Sequence, residues 1–306
     1  MKVLIATDKP FAKVAVDGIR KVIEEAGFEL ALLEKYTEKQ QLLDAVKDVE
    51  AMIVRSDIID GEVINAAKKL KIVVRAGAGY DNIDLDEATK AGICVMNTPG
   101  QNANAVAELA FGLMIYGIRN FYNGTSGTEL KGKRLGIHAY GNTGKNVARI
   151  AKGFDMQVST FDSYVDAAKV KADGVTPVST VEELYKNSDF ISINIPLTPE
   201  TKQIIGKNLL NLLPEGAVIV NTARKEVINE PEMLEYMLQH PKFKYLTDIT
   251  PDSDSEFKAK VGDRYFATAK KMGAQTAEAN VNAGIAAANQ IVDYLLHGNE
   301  RFRVNK

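Results

Sequence analysis

The sequence predicts an α/β protein built from two doubly wound parallel-sheet domains, and three observations carry that expectation. Short apolar runs alternate with amphipathic helical stretches along nearly the whole chain, the rhythm of a parallel sheet covered by helices. The rhythm comes in two series, separated by the long apolar stretch "NANAVAELAFGLMIYGIRNF". The length, 306 residues with 45% hydrophobic and 25% charged residues, suits two globular domains.

In the first series "KVLIAT" reads as a strand, a helix covers about 11–26, "FELALL" is a second strand and a helix lies near 38–47. "AMIVRS", "KIVVRA" and "GICVMN" complete the set of strands. After "NTPG", apolar residues at helical spacing predict a long connecting helix. The second series runs "KRLGIHAY", a helix from about 143, "QVSTFD", "DFISINI", "GAVIVNT", a helix over 230–239 opened by Asn229 and Pro231, "FKYLTD" and "RYFAT". A last helix, about 276–298, is expected to finish the second unit and leave a tail that returns to the first. The expected domains are therefore 1–98 plus 282–306, discontinuous in sequence, and 99–281. "NGTSGTELKGK" is the most flexible-looking connection, and no period of a repeat protein is present.

A formal charge of −2 supplies no general pull toward nucleic acid or an anionic membrane, so any anion site must be local and the partners are expected to be small molecules. The lone cysteine, Cys94, excludes an internal disulfide and reads as a small buried hydrophobe in a reducing compartment. "MKVLIATDKP" is too short in its apolar run for a secretion signal, so a cytoplasmic location is expected.

The stretch "LGIHAYGNTGKNVARI" places Gly141 and Gly144 between a strand and a helix, and Asp162 ends the next strand. This is a dinucleotide fingerprint with Ala139 in place of its first glycine. Gly141 lets the backbone approach a pyrophosphate, Gly144 permits close helix packing, and the helix N-terminus faces the phosphates. Asp162 accepts hydrogen bonds from ribose hydroxyls and repels a 2′-phosphate, which selects NAD. The second domain is therefore expected to be a Rossmann nucleotide-binding domain, and the first a smaller flavodoxin-like substrate-binding domain. His138, just before the turn, reads as a packed strand residue and not as a catalyst.

"VRAGAGYDNIDLDEATKAGICVMNTPGQNANAVAEL", "GKRLGIHAYGNTG", "SDFISINIPLTPETKQII", "GAVIVNTARKEVINE" and "MGAQTAEAN" resemble, in order, successive blocks of the D-2-hydroxyacid dehydrogenase family. Within it, "VRSD" and the short length resemble the compact phosphoglycerate dehydrogenases. The resemblance implies hydride transfer from C2 of a D-2-hydroxy acid to NAD, with a base taking the hydroxyl proton. It places the family's arginine at Arg224, where a planar fork holds the substrate carboxylate and polarises the 2-oxo group. Cofactor contacts are implied at Tyr140, Gly141, Asn142, Thr143, Gly144, Asp162, Pro196, Thr222, Ala223 and Gly273, with Asp248 beside the nicotinamide carboxamide. Substrate contacts are implied at Arg55, Ser56, Arg75, Gly77 and Asn102. Arg55 and Arg75 follow strands, so both are expected at one sheet edge as an anion site. Gly77 and Gly79 are expected to let backbone amides approach the ligand. The resemblance also implies a homodimer through the nucleotide domain and its long helix. It implies no metal.

Two departures concern the chemistry. The family's catalytic histidine, preceded by proline, falls on Lys270-Lys271, and the glutamate expected downstream of Asp248 falls on Ser253. Free lysine titrates near ~10.4, whereas a general base works best nearer ~7 to 8. A carboxylate partner would hold the lysine's proton, so loss of the glutamate together with the histidine is coherent. The N-terminus of the last helix, Arg224 and a dry cleft all disfavour the ammonium form. Asp252 or Asp254, if near the amine, would oppose them. Lys271 is thus expected to be the acid-base group, and Lys270 a neighbouring solvated charge.

The leading functional expectation is oxidation of 3-phospho-D-glycerate to 3-phosphohydroxypyruvate, the entry to serine synthesis. A glyoxylate or hydroxypyruvate reductase needs no phosphate site and is the alternative within the class; a non-catalytic NAD-sensing binding protein is the alternative outside it. Because "RFRVNK" follows the last helix closely, feedback through an appended regulatory domain is not expected.

Overall fold

A computed structural model describes all residues, 1–306. The chain forms two compact units, Met1–Asn102 with Gln275–Lys306, and Ala103–Ala274. Each is a doubly wound α/β unit.

The first unit holds strands β1 (Lys2–Thr7), β2 (Glu29–Glu34), β3 (Ala51–Val54), β4 (Ile72–Arg75) and β5 (Cys94–Asn97), in the order β2-β1-β3-β4-β5. All pairs are parallel, with Val3 opposite both Leu30 and Ala51. "AMIV" is buried along its whole length, as a strand covered by helices on both faces requires. The strand order reverses between β1 and β3, so their carboxyl ends open onto the crevice where such sheets bind ligands.

One face of this sheet is covered by the helices Lys13–Glu25 and Ala277–His297. A Cβ on Gly18 would lie 2.9 Å from Ile285 Cδ1, and one on Gly284 would lie 2.9 Å from Ile19 Cδ1. The two helices therefore cross with a glycine on each side of the contact. Beyond the αL cap at Gly298, the buried Asn305 side chain accepts from Val95 N at 2.8 Å and donates to Ile93 O at 2.9 Å. The units separate at 102/103 and 274/275, where the sequence expectation was 98/99 and 281/282. The last helix is one uninterrupted rod, and its buried face, Ala283, Gly284, Ala287, Ala288 and Ile291, packs in the first unit's core.

The second unit holds β6 (Arg134–His138), β7 (Gln157–Phe161), β8 (Thr176–Pro177), β9 (Phe190–Ile193), β10 (Val218–Asn221), β11 (Lys244–Thr247) and β12 (Tyr265–Ala267). Their order is β12-β11-β10-β9-β6-β7-β8, all parallel. The reversal lies between β6 and β9, and the carboxyl end of β6 runs directly into the fingerprint turn. The helix Ala103–Ile118 packs on the core of this unit through Ala107, Ala110, Phe111 and Met114. No helix of the chain is long and apolar enough to cross a membrane.

Candidate active site

At the end of β6 the chain makes its fingerprint turn. Ala139 adopts φ +79°, a region that L-residues enter at a cost, and it stands where the fingerprint has its first glycine. Ala139→Gly is expected to raise stability by about 0.5 to 1 kcal/mol, the relief of that strain less the entropy glycine loses on folding. Urea unfolding of the variant beside the parent checks this, and an unchanged or lowered midpoint would contradict it.

Gly141 caps the helix Asn142–Gly153 with no side-chain hydrogen bond, so the helix N-terminus keeps unpaired N–H groups for an anion. A Cβ on Gly141 would meet nothing within 4 Å, whereas one on Gly144 would lie 2.3 Å from the Ala139 carbonyl oxygen. Gly141 therefore faces open space and Gly144 permits the helix to touch the turn. Asp162, at the end of β7, accepts from Tyr140 N at 2.7 Å and from Tyr164 N at 2.8 Å. These bonds aim the carboxylate and leave it further lone pairs for ribose hydroxyls. The Tyr140 side chain is turned into the unit. It is buried, and its hydroxyl lies 3.2 Å from Asp173 Oδ2, so only its backbone serves the turn.

His138 is buried with Nδ1 3.2 Å from the Tyr185 hydroxyl. Burial pushes its pKa down to about 4, against a smaller opposing pull from Asp162. The folded imidazole thus stays neutral while the unfolded one takes a proton below about 6.5. The sign follows: stability is full above pH 6.5 and falls as pH drops toward 4, by on the order of 3 kcal/mol in total. Denaturant unfolding at pH 7.5 and 5 should show this loss diminished in His138→Gln; an equal loss in both proteins would refute it.

The carboxyl ends of β10 and β11 carry the remaining groups. Buried Asn221 accepts from Ala223 N at 3.0 Å and donates to Arg224 O at 2.9 Å, folding the turn that presents Arg224. Arg224 Nη1 donates to the Ala223 carbonyl oxygen at 3.0 Å, and Lys271 Nζ donates to the same oxygen at 3.2 Å. The two cations expected from sequence are thereby brought onto one acceptor. Lys270 is exposed, and its carbonyl accepts from Thr268 Oγ1 at 2.7 Å. Thr268 Oγ1 also lies 2.8 Å from Asp248 O, which ties the lysine segment to the end of β11.

Asp248 is fully buried, and its Oδ2 accepts from Gly273 N at 2.8 Å. A Cβ on Gly273 would lie 2.8 Å from that oxygen. Burial raises the carboxyl pKa, while the Gly273 N–H, Lys271 and Arg224 pull it down. Asp248 Oδ1, Thr222 Oγ1 and Asn194 Oδ1 are buried without a hydrogen-bond partner. Buried polar atoms left unpaired cost free energy, and they stand beside the expected cofactor positions Pro196, Ala223 and Gly273. A carboxamide-bearing cofactor fits this set, as do the open turn at Gly141, Asn142 and Thr143 and the aimed Asp162.

Ser253 N donates to Glu230 Oε2 at 2.8 Å and Asp252 N to Glu230 Oε1 at 3.0 Å, so a carboxylate clamps the segment after Asp248. Asp252 pairs with Lys225, and Asp254 with Lys258 and the Tyr265 hydroxyl. These two aspartates are committed to those partners.

In the first unit Arg55, expected at an anion site, has partners within the protein. Arg55 Nη1 donates to Lys9 O at 2.8 Å and Pro10 O at 3.1 Å, Nη2 donates to Asn280 Oδ1 at 2.7 Å, and the guanidinium lies 5.2 Å over Phe11. Its fork is largely spent within the protein. Arg75 Nε donates to Arg55 O at 3.0 Å. Gly77, at φ +154°, makes room for Arg75, since a Cβ there would fall 1.4 Å from Arg75 Nη1. Buried Asp57 accepts from Asp8 N and from the Tyr36 hydroxyl, both at 2.7 Å, holding the loop that Arg55 grips. Ser56 is exposed and Asn102 half-buried before the helix Ala103–Ile118.

Residues 100–272 match the family model for the D-isomer specific 2-hydroxyacid dehydrogenase, NAD binding domain. The chain is 36% identical over 288 residues to D-3-phosphoglycerate dehydrogenase of Methanocaldococcus jannaschii, a match that covers 89% of this chain and 54% of that one. It is 35% identical over 281 residues to hydroxypyruvate reductase of Thermotoga maritima, covering 86% and 90%. The crystal structure of NAD+-bound 3-phosphoglycerate dehydrogenase of Entamoeba histolytica aligns with a TM-score of 0.90 at 46% identity, covering 100% of this chain and 99% of that one. The chain spans about half the length of the Methanocaldococcus relative. It belongs to the D-isomer specific 2-hydroxyacid dehydrogenase family, and NAD is its cofactor.

Proposed function

We propose that the protein oxidises 3-phospho-D-glycerate to 3-phosphohydroxypyruvate, with Arg224 orienting the substrate and Lys271 as acid-base group. The observation that carries this reading is the meeting of Arg224 Nη1 and Lys271 Nζ on the Ala223 carbonyl. It sets a permanent fork for a carboxylate beside an amine able to move a proton. NAD, when held by the turn at Gly141, Asp162 and Asp248, would supply the acceptor for the hydride of substrate C2. As C2–O becomes a carbonyl, the neutral Lys271 amine takes the hydroxyl proton; in reduction the ammonium returns it. The neighbouring guanidinium opposes a second positive charge at Lys271, while the Asp248 carboxylate, whose pKa Lys271 pulls down, acts the other way. The Lys225 partnership of Asp252 leaves that carboxylate spoken for by another cation. The same reading carries a homodimer and a place at the entry to serine synthesis.

One observation favours a second reading, reduction of hydroxypyruvate or glyoxylate: Arg55, expected to bind the phosphate, is engaged by Lys9, Pro10 and Asn280. The two readings separate in one assay. NADH formation with 3-phospho-D-glycerate should exceed that with D-glycerate by about 10²-fold or more in kcat/KM, the scale of a lost ionic contact or two. Equal rates, or a preference for the unphosphorylated acid, would replace the first reading by the second.

A further inference from the structure

The Arg55 guanidinium is held by neutral partners, and this decides what it can still do. It projects from the carboxyl end of β3, and its hydrogen bonds end on the Lys9 and Pro10 carbonyls and on Asn280 Oδ1. None of these acceptors cancels its charge. Burial weighs against the charged form, with smaller opposing pulls from Asp57 and Asp8, yet a guanidinium does not give up its proton. A half-buried cation whose hydrogen bonds bring no counter-charge costs free energy until an anion meets it. Nη1 donates twice and Nη2 once, so the edge formed by Nε and Nη2 keeps hydrogens for a bidentate acceptor.

Asn280 sets the direction of that edge. It lies in the first turn of the helix Ala277–His297, in the same unit as β3. Its Nδ2 donates to Thr276 O at 2.7 Å while its Oδ1 accepts from Arg55 Nη2 at 2.7 Å. Only one orientation of the amide satisfies both ends, so the acceptor offered to Arg55 is fixed. Asp57 accepts from Asp8 N at 2.7 Å and so steadies the loop that brings Lys9 and Pro10 to the other nitrogen. A carboxylate at position 280 would reach the same guanidinium but neutralise it. The amide supplies the geometry and leaves the charge.

We propose that Asn280 determines the preference for a phosphorylated substrate, positioning Arg55 through a neutral hydrogen bond so that the free Nε and Nη2 edge, with its charge intact, takes the substrate phosphate. This role rests on the phosphoglycerate reading above and adds to it a residue from the last helix. Asn280 acts through Arg55 and is a positioning residue.

The test is calorimetric titration of the full chain, loaded with NADH, with 3-phospho-D-glycerate and with D-glycerate. NADH cannot accept a hydride, so affinity is read without turnover, and the two acids differ only in the phosphate. The readout is the ratio of their Kd values. Asn280→Asp should cut the parent's ratio about tenfold or more and Asn280→Ala should cut it less, while Kd for D-glycerate stays within about threefold of the parent in both. Arg55→Ala and the double variant Arg55→Ala with Asn280→Ala should share one ratio, because without the guanidinium Asn280 has nothing to position. The proposal is overturned if Asn280→Asp keeps the parent's ratio, if both acids lose affinity alike, or if the effects of Arg55→Ala and Asn280→Ala add. A parent that binds both acids equally ends the phosphoglycerate reading and the role of Asn280 with it, a result distinct from any change confined to the variants.

Discussion

Lys271→Ala should lower turnover about 10³-fold, the usual worth of a positioned acid-base group, while NAD affinity changes by less than about threefold. The separation follows from the geometry. Lys271 Nζ bonds to the Ala223 carbonyl, whereas the cofactor fit rests on the fingerprint turn, Asp162 and the buried Asp248. Removing the amine also removes one of the cations that pull down the Asp248 pKa, a small electrostatic change at a carboxylate that Gly273 still anchors. Stopped-flow turnover beside fluorescence titration with NADH measures both quantities. Near-parental turnover in the variant would dismiss Lys271 from proton transfer. A wild-type pH-rate profile adds a second check: oxidation should rise with pH through the pKa of the working base, and Lys271→His should move that limb toward the ordinary imidazole range.

Arg224→Lys should cost about 10³-fold in kcat/KM although the charge is kept, because a lysine ammonium lacks the planar fork that matches a carboxylate at two points. Arg224 is presented by a turn that Asn221 fixes through two hydrogen bonds. The replacement therefore alters the fork on an unchanged platform. Loss shared between kcat and KM is expected, since in the proposed mechanism the same contact binds the carboxylate and aligns C2 for transfer. A loss below tenfold would mean that another group holds the carboxylate. Asn221→Ala offers a comparison, as it keeps the arginine and removes the turn's internal bonds.

Much of this architecture can be read from residues alone, for a physical reason. A parallel sheet covered on both faces demands continuous apolar runs, and "AMIV" and "VIVN" are such runs, buried throughout. The helices Gly61–Ala66, Leu85–Lys90 and Val181–Lys186 escape notice because six residues do not complete two turns. Their N-caps are nevertheless written in the chain as Asp60, Asp84 and Thr180, each accepting a backbone N–H. β8, two residues ending in proline, has no apolar pattern to find.

Of the proposed site residues, Arg224, Asp248 and Lys271 are visible because they sit in local motifs. Thr268 and Asp57 are not, because their work is done across the fold, on Asp248 and on Asp8 and Tyr36. Arg55 shows the limit most clearly. Its place at a strand end is plain in the sequence, but its partners Lys9, Pro10 and Asn280 come from segments remote from it along the chain, and they decide what the guanidinium is free to do.

The glycine crossing of Lys13–Glu25 with Ala277–His297 also sets an order of events during synthesis. The unit that begins with Met1 needs the helix Ala277–His297 and the Asn305 stitch on β5 to finish its core. Residues 103–274 are contiguous, and they leave the ribosome as a complete set before that helix is made. The nucleotide-binding unit can thus mature first, while the amino-terminal sheet, though translated earlier, waits with one face covered only by Lys13–Glu25. Its closing step is the docking of a late helix over a large sequence separation, a slow kind of contact. Chaperone dependence in the cell should accordingly reside in the half of the protein that is made first.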